Sequence, residues 1–293
     1  MYFYFAMILE HKKYELFGKI LFEKMIIIPP FKKSTMLSDE ACFLHMLEGE
    51  YKSVSENGTI KTMAKESLLM KCGNYLSQFP VSAGTKKYET IVAHFSADIL
   101  KKIYNNDIPG FLKQSKPGNP VIGMAKVPDD LLLQKYIDGL LFYFENPGIV
   151  TEELLVLKLK ELMLLLSQTK EAPLVHQILA SLYSPINYSF REVVDAHLFS
   201  DLSVTELAQL TNLSVSSFKR RFEKVYGESP AGYLKTKKLE KAAELLSATD
   251  KSMNEIAGES GFGNLSNFSK SFQNKYHEAP TRYRLSQKNK LMN

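Results

Sequence analysis

The chain carries a dense cationic segment near its C-terminal end. Phe218 and Phe222 lie four residues apart, which places both rings on one face of a predicted helix and leaves the charges outside that face. Such a helix can pack against its own protein while it contacts a polyanion such as DNA, although an ordinary solvated helix face would look similar. The cations of this segment are Lys219, Arg220, Arg221 and Lys224.

The same pattern occurs twice between residues 202 and 284, which indicates an internal repeat of about fifty residues. The second copy has a one-residue insertion and a less charged second helix, so we expect the first copy to supply more sequence discrimination. The corresponding pairs are Leu207 and Ile256, Ala208 and Ala257, Phe218 and Phe268, Phe222 and Phe272, Pro230 and Pro280, and Tyr233 and Tyr283.

Each copy predicts a helix, a tight turn and a second helix. Ser203 and Ser252 are each followed three residues later by a glutamate, which is typical of a reciprocal N-terminal cap. Ser229 then precedes a predicted joining helix over 230–247. In a helix-turn-helix the second helix enters the major groove, and two grooves on one face of B-DNA are about 34 Å apart. A monomer should therefore read two adjacent turns of an asymmetric site.

The end of the second copy departs from the first. His277 replaces Gly227 at the end of the second helix, where a left-handed residue is often needed, and Ala279 is a weaker cap than Ser229. We therefore expect the second repeat to be less stable alone.

The repeat resembles the DNA-binding region of the AraC/XylS family of bacterial transcription regulators. The resemblance covers about residues 188–288 and implies double-stranded DNA and RNA polymerase as partners, no cofactor, and activation of transcription. Besides the two repeated helix pairs, it rests on Gly227, on Ser229-Pro230, on Glu259-Ser260-Gly261-Phe262 and on Pro280-Thr281-Arg282-Tyr283-Arg284.

The position of each residue in the family motif implies its contact with DNA. Arg220 could bind guanine O6 and N7 bidentately, Lys219 guanine or phosphate, and Leu265 a thymine methyl group, whereas a solvated side chain is the alternative for each cation. The implied base-reading residues are Ser216, Lys219, Arg220, Leu265, Ser266, Ser269 and Lys270. The implied phosphate contacts are Arg221, Lys224, Lys275, Arg282 and Arg284.

Length and charge predict two domains. The chain has 293 residues, and residues 202–293 hold 15 Lys and Arg against 9 Asp and Glu, a net charge of +6, whereas residues 1–201 hold 22 against 23, a net charge of −1. We place the N-terminal domain at 1–184, a linker at 184–187 and the DNA-binding domain at 188–293.

Residues before about 126 predict short strands, and Asn57-Gly58 predicts a hairpin turn. We expect an α+β fold, with an N-terminal cupin-like β-barrel and a helical hairpin over 129–145 and from Thr151 to Leu166, followed by an all-α tandem helix-turn-helix domain. The leucine-rich face of the second hairpin helix is either a dimer surface or intramolecular core. Its residues are Leu154, Leu155, Leu162, Leu165 and Leu166.

The N-terminal half also resembles the ExsA-like subgroup of the family, activators of type III secretion genes that protein partners control. The alternative within the family is a small-molecule sensor with an effector pocket in the barrel.

Other classes find less support. Two cysteines, Cys42 and Cys72, are too few for a disulfide framework, and this favours a reducing, cytoplasmic setting. The most apolar run is interrupted by the charges of Lys158, Lys160 and Glu161, which argues against a membrane protein. A cupin-type metalloenzyme is a remote alternative, because none of the six histidines forms a His-x-His pair. We therefore expect no enzyme and no metal. The histidines are His11, His45, His94, His176, His197 and His277.

Overall fold

The computed structural model describes residues 7–37, 40–71, 73–81, 86–112, 123–128, 130–169, 172–180, 182 and 188–291. The chain divides into two compact units, Met1–Tyr188 and Ser189–Asn293. The α+β prediction is confirmed, because the described strands lie in the N-terminal unit and the C-terminal unit is helical. The predicted linker at 184–187 lies outside the described residues, as does Cys72.

The strands of the N-terminal unit form two antiparallel sheets. One sheet has the order β1-β2-β9-β4-β7-β10 and the other the order β3-β8-β5-β6. Ser55 pairs with Gly58, which confirms the predicted hairpin, although its two turn residues are Glu56 and Asn57 because Gly58 already belongs to the second strand. The strands are β1 Met7–Leu16, β2 Lys19–Ile28, β3 Phe31–Leu37, β4 Glu40–Glu48, β5 Glu50–Ser55, β6 Gly58–Met63, β7 Ser67–Met70, β8 Gly73–Phe79, β9 Tyr88–Ser96 and β10 Met124–Val127.

The larger sheet is buried on both faces, as the alternation along β4 shows. Cys42 and Leu44 pack in a cluster that includes Tyr51 of the smaller sheet. Ala41 and Phe43 point the other way and pack in the cluster that includes the helices of this unit. The two sheets therefore enclose one apolar layer, and the helices cover the outer face of the larger sheet. The cupin-like closure of the sheets stays a prediction.

The described part of this unit also contains four α-helices, and side chains cap two of them near the predicted starts. Asp130 accepts a hydrogen bond from the backbone of Leu133, and Thr151 accepts one from Leu154. The helices are α1 Ala97–Ile103, α2 Leu131–Glu145, α3 Glu152–Gln168 and α4 Ala172–Ala180, with short 3₁₀ turns at Gly110–Leu112 and Pro147–Ile149.

Burial in α3 corrects the leucine set assigned to a dimer surface. Leu155, Leu162 and Leu166 are at most 4% exposed and belong to the core that α3 shares with the larger sheet. They cannot form an intersubunit surface without unfolding this core, whereas Leu154 and Leu165 are half-buried. The periodicity identified the apolar side of the helix but not the element that covers it.

The C-terminal unit is a series of short helices with strong caps. Ser203 and Ser252 each form the predicted reciprocal cap with Glu206 and Glu255, and Ser189 forms a third with its own downstream glutamate. No described helix of the chain is both long and apolar enough to span a bilayer. The helices are α5 Phe190–Ala196, α6 Val204–Leu210, α7 Val215–Tyr226, α8 Pro230–Ala248, α9 Met253–Glu259, α10 Leu265–Tyr276 and α11 Pro280–Leu291.

Candidate nucleic-acid interface

Each second helix of the repeat is anchored by the same aromatic group. In the first repeat, the ring of Phe222 lies 4.4 Å from that of Tyr226 and 5.5 Å from that of Tyr233, measured between centroids. The corresponding distances from Phe272 are 4.5 and 5.2 Å. Since ring pairs at these separations add to the free energy of burial, the two copies are held by equivalent packing.

This packing fixes which face of α7 and α10 is presented to solvent. Phe218, Phe222, Phe268 and Phe272 are fully buried. Six of the seven base-reading candidates are exposed, and Ser269 is half-buried. They lie on matching turns, because Ser216, Lys219 and Arg220 take the same helical positions as Ser266, Ser269 and Lys270. The exposed candidates are Ser216, Lys219, Arg220, Leu265, Ser266 and Lys270.

The cations on the outer face of α7 have no acidic partners. Among the described residues, Lys219, Arg220 and Lys224 form no ion pair and no side-chain hydrogen bond. Several cations elsewhere in the C-terminal unit do pair with acids, for example Lys237 with Glu240 at 3.0 Å. The protein therefore leaves a concentrated positive face on α7, which attracts polyanions.

The phosphate candidates divide into two groups. Lys224 and Arg282 are exposed, and Arg221 is exposed but lies over the ring of Phe190, with its guanidinium carbon 5.0 Å from the centroid. Lys275 donates to Glu240 Oε1 at 3.3 Å, and Arg284 donates to the carbonyl oxygen of Lys251 at 2.6 Å.

The sequence did not predict these two bonds, because their partners lie 35 and 33 positions away along the chain. A phosphate contact by Lys275 or Arg284 competes with the bond that each side chain already makes. The exposed cations Lys224 and Arg282 have no such competition in the part of the chain that the structure describes.

The ends of α7 and α10 have the geometry that the sequence predicts. Gly227 ends α7 with a φ of 79°, and His277 ends α10 with a φ of 61°, both in the left-handed region. A Cβ at Gly227 would meet nothing within 4 Å, so the requirement there is one of backbone conformation alone. The second repeat therefore holds a strained residue where the first holds a relaxed one.

A second candidate site lies in the N-terminal unit, where a cavity of about 610 Å³ opens between the two sheets. Its apolar walls include Leu44 and Phe79, and its polar residues include Glu23. His11 Nε2 lies 2.7 Å from one carboxylate oxygen of Glu23, and His94 Nε2 lies 3.0 Å from the other. Burial acts to raise the pKa of Glu23, but bonds and charge from His94 and His11 lower it overall.

The cluster of His11, Glu23 and His94 was not predicted from the sequence, because its members lie on three different strands, β1, β2 and β9. Strand pairing places them side by side. Within the described ranges, no group of three or more His, Cys, Asp or Glu side chains is placed to hold a metal ion.

Two family models match the chain. Residues 207–286 match a helix-turn-helix domain, and residues 41–178 match the ExsA N-terminal regulatory domain. The HTH-type transcriptional regulator ExsA of Pseudomonas aeruginosa is 25% identical over 241 residues, which cover 82% of this chain and 84% of that protein. The probable transcriptional regulator LumQ of Photobacterium leiognathi is 33% identical over 90 residues, 31% of this chain and 36% of that protein. These similarities indicate a transcription regulator rather than an enzyme.

Two solved structures are also similar. The DNA-binding domain of AdpA in complex with a target DNA is 28% identical, with 36% of this chain and 96% of that chain covered and a TM-score of 0.34. Unsaturated fatty acid bound ToxT from Vibrio cholerae is 14% identical, with 90% and 94% covered and a TM-score of 0.38.

Proposed function

Since this chain is an AraC-type DNA-binding transcription regulator with an N-terminal regulatory domain, we propose that α7 and α10 enter adjacent major grooves of one asymmetric site and thereby activate transcription. The observation that supports this most is the cationic face of α7, whose Lys219, Arg220 and Lys224 have no partner among the described residues. A structure that leaves such charges uncompensated gains most from a polyanionic ligand.

The length of the joining helix supports the proposal that the two recognition helices bind two adjacent grooves. Helix α8 has 19 residues, which corresponds to about 28 Å of length at roughly 1.5 Å per residue. Grooves on one face of the duplex repeat about every 34 Å. A rigid connector of nearly that length suits two recognition helices one turn apart.

The two repeats contribute unequally in this proposal. Arg220 reads guanine, and Lys219 contacts guanine or phosphate, whereas α10 reads through Leu265, Ser266, Ser269 and Lys270. Leu265 is 38% exposed at the first position of α10 and is suited to a thymine methyl group. Because α10 presents one cation on this face and α7 presents several, we expect the half of the site that α7 reads to tolerate fewer base changes.

Selection of duplexes from a random pool with the full chain tests this proposal. We expect a selected site of two adjacent turns, with protection from cleavage on one face of the duplex. Affinity should fall steeply with salt, and a sequence-specific difference should persist at each salt concentration. Retention of duplexes without any common sequence would refute the proposal.

We further propose that a protein partner controls this activity through the N-terminal unit and that the DNA-bound chain contacts RNA polymerase. The match to the ExsA N-terminal regulatory domain over residues 41–178 supports regulation through this unit. Crosslinking of the full chain in cells followed by mass spectrometry tests both contacts. The finding of RNA polymerase but of no stoichiometric second protein would refute control by a protein partner.

Dimerisation is proposed through exposed leucines of α3 rather than through the buried ones. Leu157 is 60% and Leu164 is 50% exposed, and they lie seven residues apart on one side of the helix. We expect the double substitution Leu157→Glu and Leu164→Glu to convert a dimer to a monomer, as measured by light scattering at several concentrations. Lys160→Glu on the same helix is the matched control. An unchanged mass would refute this surface.

The cavity between the sheets supports a second candidate, a small-molecule effector. Its volume of about 610 Å³ lies in the range of ligand sites, and it combines apolar walls with the polar group at Glu23. Native mass spectrometry of the purified full chain should then show a bound small molecule that a cavity-filling Val92→Trp variant lacks. Equal spectra for both proteins would refute this candidate.

A further inference from the structure

The two helix-turn-helix repeats meet at the middle of α8, where Lys238 bridges them. Its ammonium donates one hydrogen bond to the carbonyl oxygen of Ser200 and another, of 2.9 Å, to that of Gly261. Ser200 precedes α6 of the first repeat, and Gly261 lies in the turn between α9 and α10 of the second. One side chain of the joining helix is therefore bonded both to the backbone of the segment between α5 and α6, which leads into the first repeat, and to the backbone of the second repeat.

The backbone of this segment before α6 also contacts the backbone of the second repeat directly. Gly261 has a φ of 80°, and a Cβ built on it would lie 2.4 Å from the carbonyl oxygen of Phe199. Only glycine fits this approach, because any side chain would displace one backbone from the other. The contact and the two bonds of Lys238 therefore form one joint.

This joint is polar, whereas the cores on either side are apolar. The first half of α8 packs through Tyr233 on Phe222 of the first repeat. The second half packs through Leu239 and Leu246 in a cluster with Phe272 of the second repeat. Beside Lys238 lies a cleft of about 410 Å³. Hydrogen bonds are directional, whereas apolar contacts are not. The joint therefore contributes more to the orientation of the repeats than to the free energy that holds them together.

Movement at this joint would be carried directly to the DNA-reading end of α10. Gly261 is three residues before Asn264, which caps α10, and four residues before Leu265, its first residue. Burial lowers the pKa of Lys238 because it disfavours the charged form of the side chain. The two hydrogen bonds to carbonyl oxygens stabilise that charged form. Removal of this ammonium would leave both carbonyl oxygens without their hydrogen-bond donor. The turn that precedes α10 would then no longer be fixed to the joining helix.

We propose that Lys238 is a positioning residue that sets the separation of the two recognition helices, and thereby the number of base pairs between the two halves of the DNA site. This inference rests on the proposed reading of two adjacent grooves. One added base pair moves the second half by about 3.4 Å and rotates it by about 34°, which a rigid joint cannot follow.

The test compares Lys238→Met, which keeps most of the apolar stem, with Lys241→Met, which removes a half-buried lysine paired with Glu244 at 3.1 Å. The full chain binds three duplexes that carry the selected site with its own spacing, with one base pair added or with one removed. A fourth duplex carries only the half that α7 reads. The wild type and Lys241→Met should lose about tenfold or more in affinity on either altered spacing, the loss of about 1.4 kcal/mol of contacts. Lys238→Met should lose less than about threefold, because its α10 can move to the shifted groove.

The half-site duplex separates positioning from folding. Lys238→Met should bind it with the wild-type affinity, because the first repeat keeps its own core. Gly261→Ala offers a second variant, which displaces the turn and keeps the ammonium, and it should shift the preferred spacing. A wild-type protein that ignores spacing would refute the reading of two grooves itself. The role of Lys238 alone would be overturned if folded Lys238→Met discriminates spacing as strongly as the wild type and folded Gly261→Ala keeps the wild-type spacing.

Discussion

The role of Arg220 gives the sharpest test of how this protein reads DNA. Its side chain is exposed and has no hydrogen-bond or ionic partner in the described chain, so Arg220→Ala should change the free energy of unfolding by no more than about 0.5 kcal/mol. A loss of DNA affinity then reports a lost contact with DNA. A bidentate arginine contact with guanine contributes about 1–3 kcal/mol of discrimination, which corresponds to about 5- to 160-fold in affinity at that base pair.

The assay is equilibrium binding by fluorescence anisotropy, with duplexes that carry each of the four base pairs at every position of the selected site. The wild type should prefer guanine at one position of the half that α7 reads, and Arg220→Ala should bind all four duplexes at that position with similar affinity. Lys224→Ala is the matched control, because a phosphate contact should weaken all sequences alike and reduce the salt slope by about 1. Equal weakening of every duplex by Arg220→Ala would refute the base-reading role.

Three further predictions follow from the helix ends and the cavity. Gly227→Ala should lower the free energy of unfolding by about 1 kcal/mol in urea titrations, since a left-handed residue with a Cβ is strained. His277→Gly should raise it by up to about 1 kcal/mol for the same reason, and a stabilised Gly227→Ala or a destabilised His277→Gly would contradict the account of that helix end. Glu23→Gln should destabilise the protein at neutral pH. Because the folded pKa of Glu23 is lowered by His94 and His11, its stabilisation is present above the ordinary value of 4.5 and is lost as the pH falls through the folded pKa. The difference in melting temperature between wild type and Glu23→Gln should therefore narrow as the pH falls below 4.5 and through the folded pKa, and a constant difference would contradict this account.

Features set by neighbouring residues were predictable from the sequence. The caps at Ser203 and Ser252 and the hairpin between Ser55 and Gly58 depend on side chains and backbone within four residues, so a short stretch of sequence contains their whole signal. The left-handed end at His277 was predictable in the same way, from its alignment with Gly227 in the repeat.

Features set by contacts between distant segments were not predictable. His11 and His94 are separated by 83 positions in the chain and meet at Glu23 only because β1 and β9 both pair with β2. Lys238 bonds two carbonyl oxygens, and every residue has a carbonyl, so no residue type marks its partners. The leucines of α3 show a limit of another kind, since an apolar face predicts burial but does not identify the covering element.

The aromatic group behind each recognition helix also bears on how such a protein can change over evolutionary time. Phe222 and Phe272 hold α7 and α10 from behind through rings that make no use of the exposed faces. If Lys219 and Arg220 read bases as proposed, substitutions there alter the preferred DNA sequence without a loss of fold, so tolerance of mutation and change of specificity belong to opposite sides of one helix. Because this aromatic group is present in both repeats, the sequence preference of one repeat can change while the other repeat still binds its original half of the DNA site.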